Sequence, residues 1–289
     1  MFTRRMGAIG AAAALTFGLA ACGSDDTAST DDATADAGST AEGGGSYDSL
    51  RIGIKFDQPG LGLREGSEYA GFDVEVAKYV AAELGVDEGS IEWVEAPSAQ
   101  RETLIETDQV DLVFATYSIT DSRKERISFA GPYFIAGQGL LVRADDTEIT
   151  GPDTLDGKRL CSVTGSTPAQ NIKDEYPEVQ LQEFGTYSEC LPALLSGGID
   201  AVTTDDTILA GFAAQEQYAG QLKLVGEPFT EEQYGVGLTK GDTELCEAVN
   251  DAITKMVEDG AWEQAVADTL GPAGYEPGPG NPPTPADCE

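Results

Sequence analysis

Histidine is absent from all 289 residues, and only 17 Lys and Arg stand against 51 Asp and Glu. The first absence removes imidazole as a metal ligand and as the usual acid–base group near neutral pH. The shortage of cations leaves a formal net charge of −34, which argues against nucleic acid and anionic lipid headgroups as partners. Also lacking is any run of roughly 20 apolar residues, the length a membrane-spanning helix needs. Short-period repeats are missing as well, and the spacings between the cysteines match no common zinc pattern. No metal or cofactor is expected.

What is present begins with Arg4 and Arg5, followed by an apolar, Ala-rich run over residues 6–20. The run is too short and too rich in small side chains for a stable span, so it reads as the apolar region of a signal peptide. It ends in Leu19-Ala20-Ala21-Cys22, which resembles a bacterial lipobox. Residues 1–21 are therefore expected to be removed and Cys22 to carry a lipid. Residues 23–46 hold Asp, Thr, Ala, Ser and Gly with one Glu and no aromatic residue. Such a composition cannot bury enough apolar surface to offset its ordering entropy, so residues 22–47 are expected to form a lipidated, flexible tether. The remaining chain is long enough for two lobes. Cys161, Cys190, Cys246 and Cys288 allow two disulfides in three pairings in an exported protein. Their positions favour Cys161–Cys190 in mid-chain and Cys246–Cys288, which staples the Pro/Gly-rich tail over residues 271–289 to a helix.

Strand and helix patterns alternate from Leu50 onward. Leu50-Arg51-Ile52-Gly53-Ile54 reads as a strand, and residues 73–84 as a helix with Val76, Val80 and Leu84 on one face and Gly85 as its stop. A short strand over 91–94 precedes a helix that Ser98 can cap, and a buried strand covers 110–114. A second run follows: strands over 137–142, 159–163, 181–184, 200–204 and 222–225, with helices starting at Thr167-Pro168, Ser188 and Thr207. A strand over 235–239, a helix over 243–258 and a helical stretch over 262–270 end the pattern. Two runs of βα units indicate an α/β protein with two lobes. Periodicity leaves open which lobe the last strand and helix join.

Open α/β sheets bind ligands at the carboxyl ends of their strands. Those positions hold Lys55, then Thr116, Tyr117 and Ser118, then Thr164, Gly165, Ser166 and Thr167, and finally Asp205. A Gly-Ser-Thr-Pro turn at a helix start offers N–H groups and hydroxyls to a carboxylate. Asp205 suits an ammonium, while Lys55 and Arg123 suit carboxylates. Each also has a plainer reading: Thr167 and Asp205 as helix caps, Arg123 in a solvated charged turn, Lys55 on the surface.

Several segments in order resemble the family 3 extracellular solute-binding proteins, the polar amino-acid receptors of ABC transporters. They are Gly71-Phe72-Asp73-Val74-Glu75-Val76-Ala77, Asp111-Leu112-Val113-Phe114-Ala115 leading to Ser118-Ile119-Thr120 and Arg123, Phe129-Ala130-Gly131-Pro132-Tyr133-Phe134, and Gly198-Ile199-Asp200-Ala201-Val202. The resemblance implies a two-lobed, periplasmic-binding-protein-like (type II) fold with two crossing hinge strands. Lobe 1 would be residues 48–139 plus 236–289 and lobe 2 residues 140–235, with crossings at Gly139-Leu140 and Tyr234-Gly235. It also implies roles. Arg123 clamps an α-carboxylate with Ser118 and Thr120, residues around Thr167 add contacts from lobe 2, and Asp205 takes the α-ammonium. Lys55 and Arg101 match positions that are basic in family members binding aspartate or glutamate, and Tyr187 matches one that places a hydroxyl near the distal carboxylate.

The stretch Gly53-Ile54-Lys55-Phe56-Asp57-Gln58-Pro59-Gly60-Leu61-Gly62 is similar to actinobacterial glutamate-binding lipoproteins. What this implies is a monomeric receptor on the outer face of the cell membrane, held by its lipid alone. It would bind glutamate first and aspartate second, and serve the permease subunits of an ABC importer. A glutamine receptor, a signalling sensor and an arogenate or prephenate dehydratase on the same fold are the alternatives. The last lacks any nucleophile–base spacing.

Overall fold

A computed structural model of the chain describes residues 47–289. The expected signal peptide, Cys22 and the tether before Tyr47 lie outside the described residues. Two five-stranded sheets build two lobes. The first runs in the order Ile91–Glu95, Leu50–Ile54, Leu112–Phe114, Glu232–Leu238, Ser128–Ala136. The second runs Gln180–Phe184, Arg159–Val163, Ala201–Asp205, Gln138–Arg143, Leu222–Val225. In each, the first three strands are parallel and the last two antiparallel to their neighbours. The parallel strands therefore point their carboxyl ends, where ligand sites form, in one direction per sheet.

The chain leaves the first sheet at Gly137 and returns between Val225 and Glu232. Both passages lie earlier than the expected Gly139-Leu140 and Tyr234-Gly235. Gln138 and Gly139 already pair with Asp205 and Thr204 in the second sheet. Glu232, Gln233 and Tyr234 pair with Ala136, Ile135 and Phe134 in the first. The late strand, left open by periodicity, thus belongs to the first sheet, and the helices Thr243–Glu258 and Ala261–Thr269 pack with it. Thr243–Glu258 starts on Asp242, whose side chain accepts from the Leu245 N–H, and buries Leu245, Val249, Ala252, Ile253 and Met256 along one face. Phe72, Phe134 and Trp262 interlock there with ring centroids 5.2–5.8 Å apart, and the Trp262 indole donates to the Tyr133 carbonyl.

The sequence reading has no counterpart for the nine-residue strand Ser128–Ala136, because Pro132 interrupts its pattern. The strand survives because it is the sheet's edge and because pairing shifts register between Tyr234 and Val236. A residue without an N–H is tolerated at such an edge and bulge. The helix expected near residues 207–217 starts at Asp206 and ends earlier, at Ala213.

Disulfides join Cys161 to Cys190 and Cys246 to Cys288, with Cα–Cα distances of 5.8 and 6.0 Å. The second ties the tail to the helix Thr243–Glu258. The tail then lies along the edge strand: the Asn281 amide bonds both N–H and C=O of Ile135, and the Ala286 N–H donates to the Gly131 carbonyl. An otherwise bare strand edge is covered. Closing a loop of 42 residues is worth roughly 2–4 kcal/mol. Replacing Cys246 and Cys288 together by Ser is therefore expected to lower Tm by roughly 5–15 °C in scanning calorimetry, with the Cys161–Cys190 bridge intact.

Candidate functional site

The site is a cleft between the carboxyl ends of the two sheets. An outer part of about 430 Å³ is lined by Ser98, Glu102, Thr120, Arg123 and Arg126 from one lobe and Gly165, Ser166, Thr167 and Gln170 from the other. Beneath it lies an inner pocket of about 10 Å³, room for about one water molecule. Its walls are Ser98, Arg101, Thr116 and Ser118 facing Ser166, Thr167, Pro168, Tyr187, Asp205 and Ile208. The lobes touch closely on both sides. At Gly165, which has φ +79°, a Cβ would stand 2.7 Å from the Ala99 Cα; at Gly211 it would stand 2.1 Å from the Pro59 carbonyl oxygen.

Three cations converge here. Arg123 is 8 % exposed. Its Nη1 donates to the Ser118 carbonyl (2.6 Å) and to Thr167 Oγ1 (2.9 Å), and its Nη2 to the Gly165 carbonyl (3.0 Å). Its Nε lies 3.4 Å from Glu102. Burial, then the nearby Arg101 charge, brings the Arg123 pKa down to about 10. Arg101 is 2 % exposed and lies over the Tyr117 ring, 4.0 Å from its centroid. It bonds only carbonyls: Ala115 (2.9 Å), Ser98 (3.4 Å) and Thr116 (3.5 Å). Lys55, also 2 % exposed, donates to Ser98 Oγ at 3.0 Å. Burial, and after it the Arg101 charge, lowers the Lys55 pKa to about 8.

On the facing lobe, Asp205 ends the strand Ala201–Asp205 and is 2 % exposed. One of its oxygens accepts from Tyr234 Oη (2.7 Å); the other has no partner. Burial, and next the neighbouring Glu232 charge, raises its pKa well above the usual carboxylate range. The Tyr187 hydroxyl is buried without a partner, its pKa pushed up to about 12 by burial. Thr204 Oγ1, Tyr117 Oη and Gln58 Nε2 are the remaining buried, unpartnered side-chain groups among the described residues. All five belong to residues that line the cleft or adjoin or bond to one that does. Buried polar groups are normally satisfied, and the free oxygen of Asp205, which lines the inner pocket, is the carboxylate oxygen of this set that still seeks a donor.

The expected residues divide as follows. Arg101, Thr116, Ser118, Ser166, Thr167, Tyr187 and Asp205 line the inner pocket, and Thr120 and Arg123 the outer cleft. Lys55 stands one hydrogen bond behind, screened by Ser98. Thr164 is not brought in: it is exposed and lines neither part, because its N–H continues the sheet ladder to Phe184. The cap of the helix Thr167–Glu175 is Ser166, whose hydroxyl accepts from the Ala169 N–H, rather than Thr167. Asp205 occupies the cap position of the next helix without a capping bond. Ser98 does not cap Arg101–Glu106, which starts after Gln100; it is a site residue that the sequence reading missed. Its place just past the strand Ile91–Glu95 was the available signal. Glu102 is a second omission with no comparable cue.

Residues 50–271 match the family described as bacterial extracellular solute-binding proteins, family 3. The chain belongs to that family. The glutamate-binding protein GluB of Corynebacterium efficiens is 48% identical to this solute-binding protein over 282 residues, 94% of this chain and 92% of the relative. GluB of Corynebacterium glutamicum is 47% identical over 281 residues, 93% and 91% of the two chains. An ancestral arginine-binding protein bound to arginine superposes with a TM-score of 0.72 at 32% identity, covering 78% of this chain and 99% of that one.

The cost of the site falls on this solute-binding protein's own stability. A Lys whose pKa drops from 10.5 to about 8 on folding destabilises the native state by roughly 3 kcal/mol once protonated. The unfolded chain binds the extra proton between those two values, so stability rises with pH across that window and the full cost is felt below pH 8. Lys55→Met is expected to be the more stable protein at pH 7, with its advantage shrinking between about pH 8 and 10.5. Urea unfolding of both proteins at pH 7, 8, 9 and 10 measures this; a constant difference would contradict it.

Proposed function

We propose that this protein is a lipid-anchored extracytoplasmic receptor that binds glutamate, with aspartate second, and delivers it to the permease subunits of an ABC importer. The observation that carries the reading is the burial of Lys55, Arg101 and Arg123 around one cleft of a chain with net charge −34. Two of them, Lys55 and Arg101, have no carboxylate within ion-pair reach among the described residues. Buried cations without counter-ions are costly, and an anionic ligand offsets that cost. The two GluB relatives, glutamate-binding proteins, support the same choice. A glutamate-bound neighbour, the GluR0 ligand-binding core from Nostoc punctiforme, adds to it with a TM-score of 0.67 at 25% identity, over 76% of this chain and 98% of that one.

In this reading Arg123 binds the α-carboxylate with Ser118 and Thr120, and Thr167 adds its hydroxyl from the facing lobe. Asp205 takes the α-ammonium through its unpartnered oxygen. The distal carboxylate meets Arg101, the Tyr187 hydroxyl and Ser98, whose oxygen accepts from Lys55 and whose own proton remains available to the ligand. Lobe 1 comprises residues 48–136 with 232–289 and lobe 2 residues 138–225, and a ligand touching both favours the closed arrangement. Lipidation at Cys22 and the tether after it keep the receptor at the membrane as a monomer. Among the described residues no helix is long and apolar enough to cross it.

Calorimetric titration of the purified protein with glutamate, aspartate and glutamine tests the assignment; tighter binding of glutamine than of glutamate would overturn it. Arg123→Ala is expected to abolish binding of all three. Arg101→Ala is expected to weaken glutamate by about tenfold to hundredfold, as loss of a charge-assisted bond does, and glutamine far less. Equal losses would contradict the role given to Arg101. Because Lys55 loses its proton above about pH 8, glutamate affinity should also fall relative to glutamine between pH 7 and 9.

A further inference from the structure

Thr116 is one of two non-glycine residues among those described with a left-handed backbone, at φ 45°. The other, Asp108, lies in a surface turn, whereas Thr116 is buried in the inner pocket. A β-branched residue is poorly suited to that conformation, so neighbouring groups must hold it. Three bonds do so. The Thr116 N–H donates to Asp73 Oδ2 (3.0 Å), and its hydroxyl contacts the Ala115 carbonyl (2.7 Å) and Gln58 Oε1 (3.2 Å). Asp73 itself sits in the first turn of the helix Phe72–Glu83, has no exposed surface, and accepts on its other oxygen from Tyr133 Oη (2.7 Å).

The consequence appears on the far side of the same peptide. The carbonyls of Ala115 and Thr116 are turned toward Arg101 and receive its Nη1, while Nε goes to Ser98. The Arg101 Nη2 has no protein partner among the described residues. A carboxylate in direct contact would have consumed the guanidinium fork. Placed one peptide away, Asp73 supplies negative charge that Lys55 and Arg101 both feel and leaves the donors unspent.

We infer that Asp73 is a positioning residue for acidic side-chain selectivity: by holding Thr116 in its left-handed conformation it aims two backbone carbonyls at Arg101 and keeps the free guanidinium edge toward the ligand. The inference rests on the glutamate-receptor reading. It concerns a residue that is buried outside the cleft lining and touches no part of the ligand's path.

The test is the ratio of glutamine to glutamate Kd by calorimetry at pH 7.5. In Asp73→Ala, glutamate binding is expected to weaken by about tenfold or more while glutamine changes by less than about threefold. Glycine adopts the left-handed region without steric cost, so in a Thr116→Gly background the Asp73→Ala penalty on glutamate should shrink to less than about threefold. Asp73→Asn keeps the size and an acceptor for the Thr116 N–H, and it decides the matter if the alanine variant does not fold by circular dichroism. Its ratio should stay within about threefold of the unsubstituted protein, and a larger fall would mean that the charge, not the hold on Thr116, is what counts and would overturn the inference. Equal weakening of both ligands, or an undiminished penalty in the glycine background, would reduce Asp73 to an ordinary structural residue and overturn the inference. Failure of the unsubstituted protein to prefer glutamate would instead sink the functional reading on which it rests.

Discussion

Three cations buried without full counter-charge, in a chain overwhelmingly acidic, are the constraint around which this molecule is arranged. Arg123 alone has a carboxylate near it, at 3.4 Å; Arg101 is held by carbonyls and Lys55 by one hydroxyl. Carbonyl dipoles satisfy N–H donors but do not neutralise a formal charge. The lowered pKa of Lys55 expresses that imbalance, as does the opposite shift of Asp205 on the facing lobe. The cleft cations of one lobe and Asp205 of the other are thus destabilised charges of opposite sign, and a zwitterion with an acidic side chain would complement both.

Holding such groups in place takes rigid support, and each is tied to a strand end. Lys55, Ser98, Thr116, Thr167, Tyr187 and Asp205 all lie at or shortly after the carboxyl end of a parallel strand. Register therefore sets their relative positions more than local loop structure does. The two passages between sheets run through Gly137 and residues 226–231. Asp206 bonds one passage directly, accepting from the Gly137 N–H on one oxygen and from the tail's Tyr275 hydroxyl on the other. The tail fastened by Cys246–Cys288 consequently reaches from the first sheet to the first turn of a helix of the second.

Much of the fold was legible because its signals are local. The strands at Leu50, Arg159 and Leu222 and the helix at Thr243 follow from periodicity and come out at the same residues. The edge strand through Pro132 did not, since only its position at the sheet border and the register shift opposite it make proline acceptable there. In the site, the rule that ligands meet strand ends picks out Thr116, Ser118, Thr167 and Asp205, which line one pocket. The same rule also picks Thr164, which stays in the ladder, and passes over Ser98, three residues beyond its strand. Glu102 and Asp73 have no cue of this kind: nothing in a linear sequence places one beside Arg123 or the other behind Thr116.

Composition and pattern by themselves determined the acidic balance, the α/β alternation, the set of strand-end candidates and, through ordered motifs, the family. Those properties depend on residues near one another in the chain or on simple sums over it. The tertiary structure decided which sheet the late strand joins, which candidates share one pocket, and that Lys55 lies behind Ser98. These depend on pairings between residues tens to more than a hundred positions apart, such as Glu232 with Ala136 or Asp73 with Thr116, whose free energy comes from burial that only the assembled sheets create.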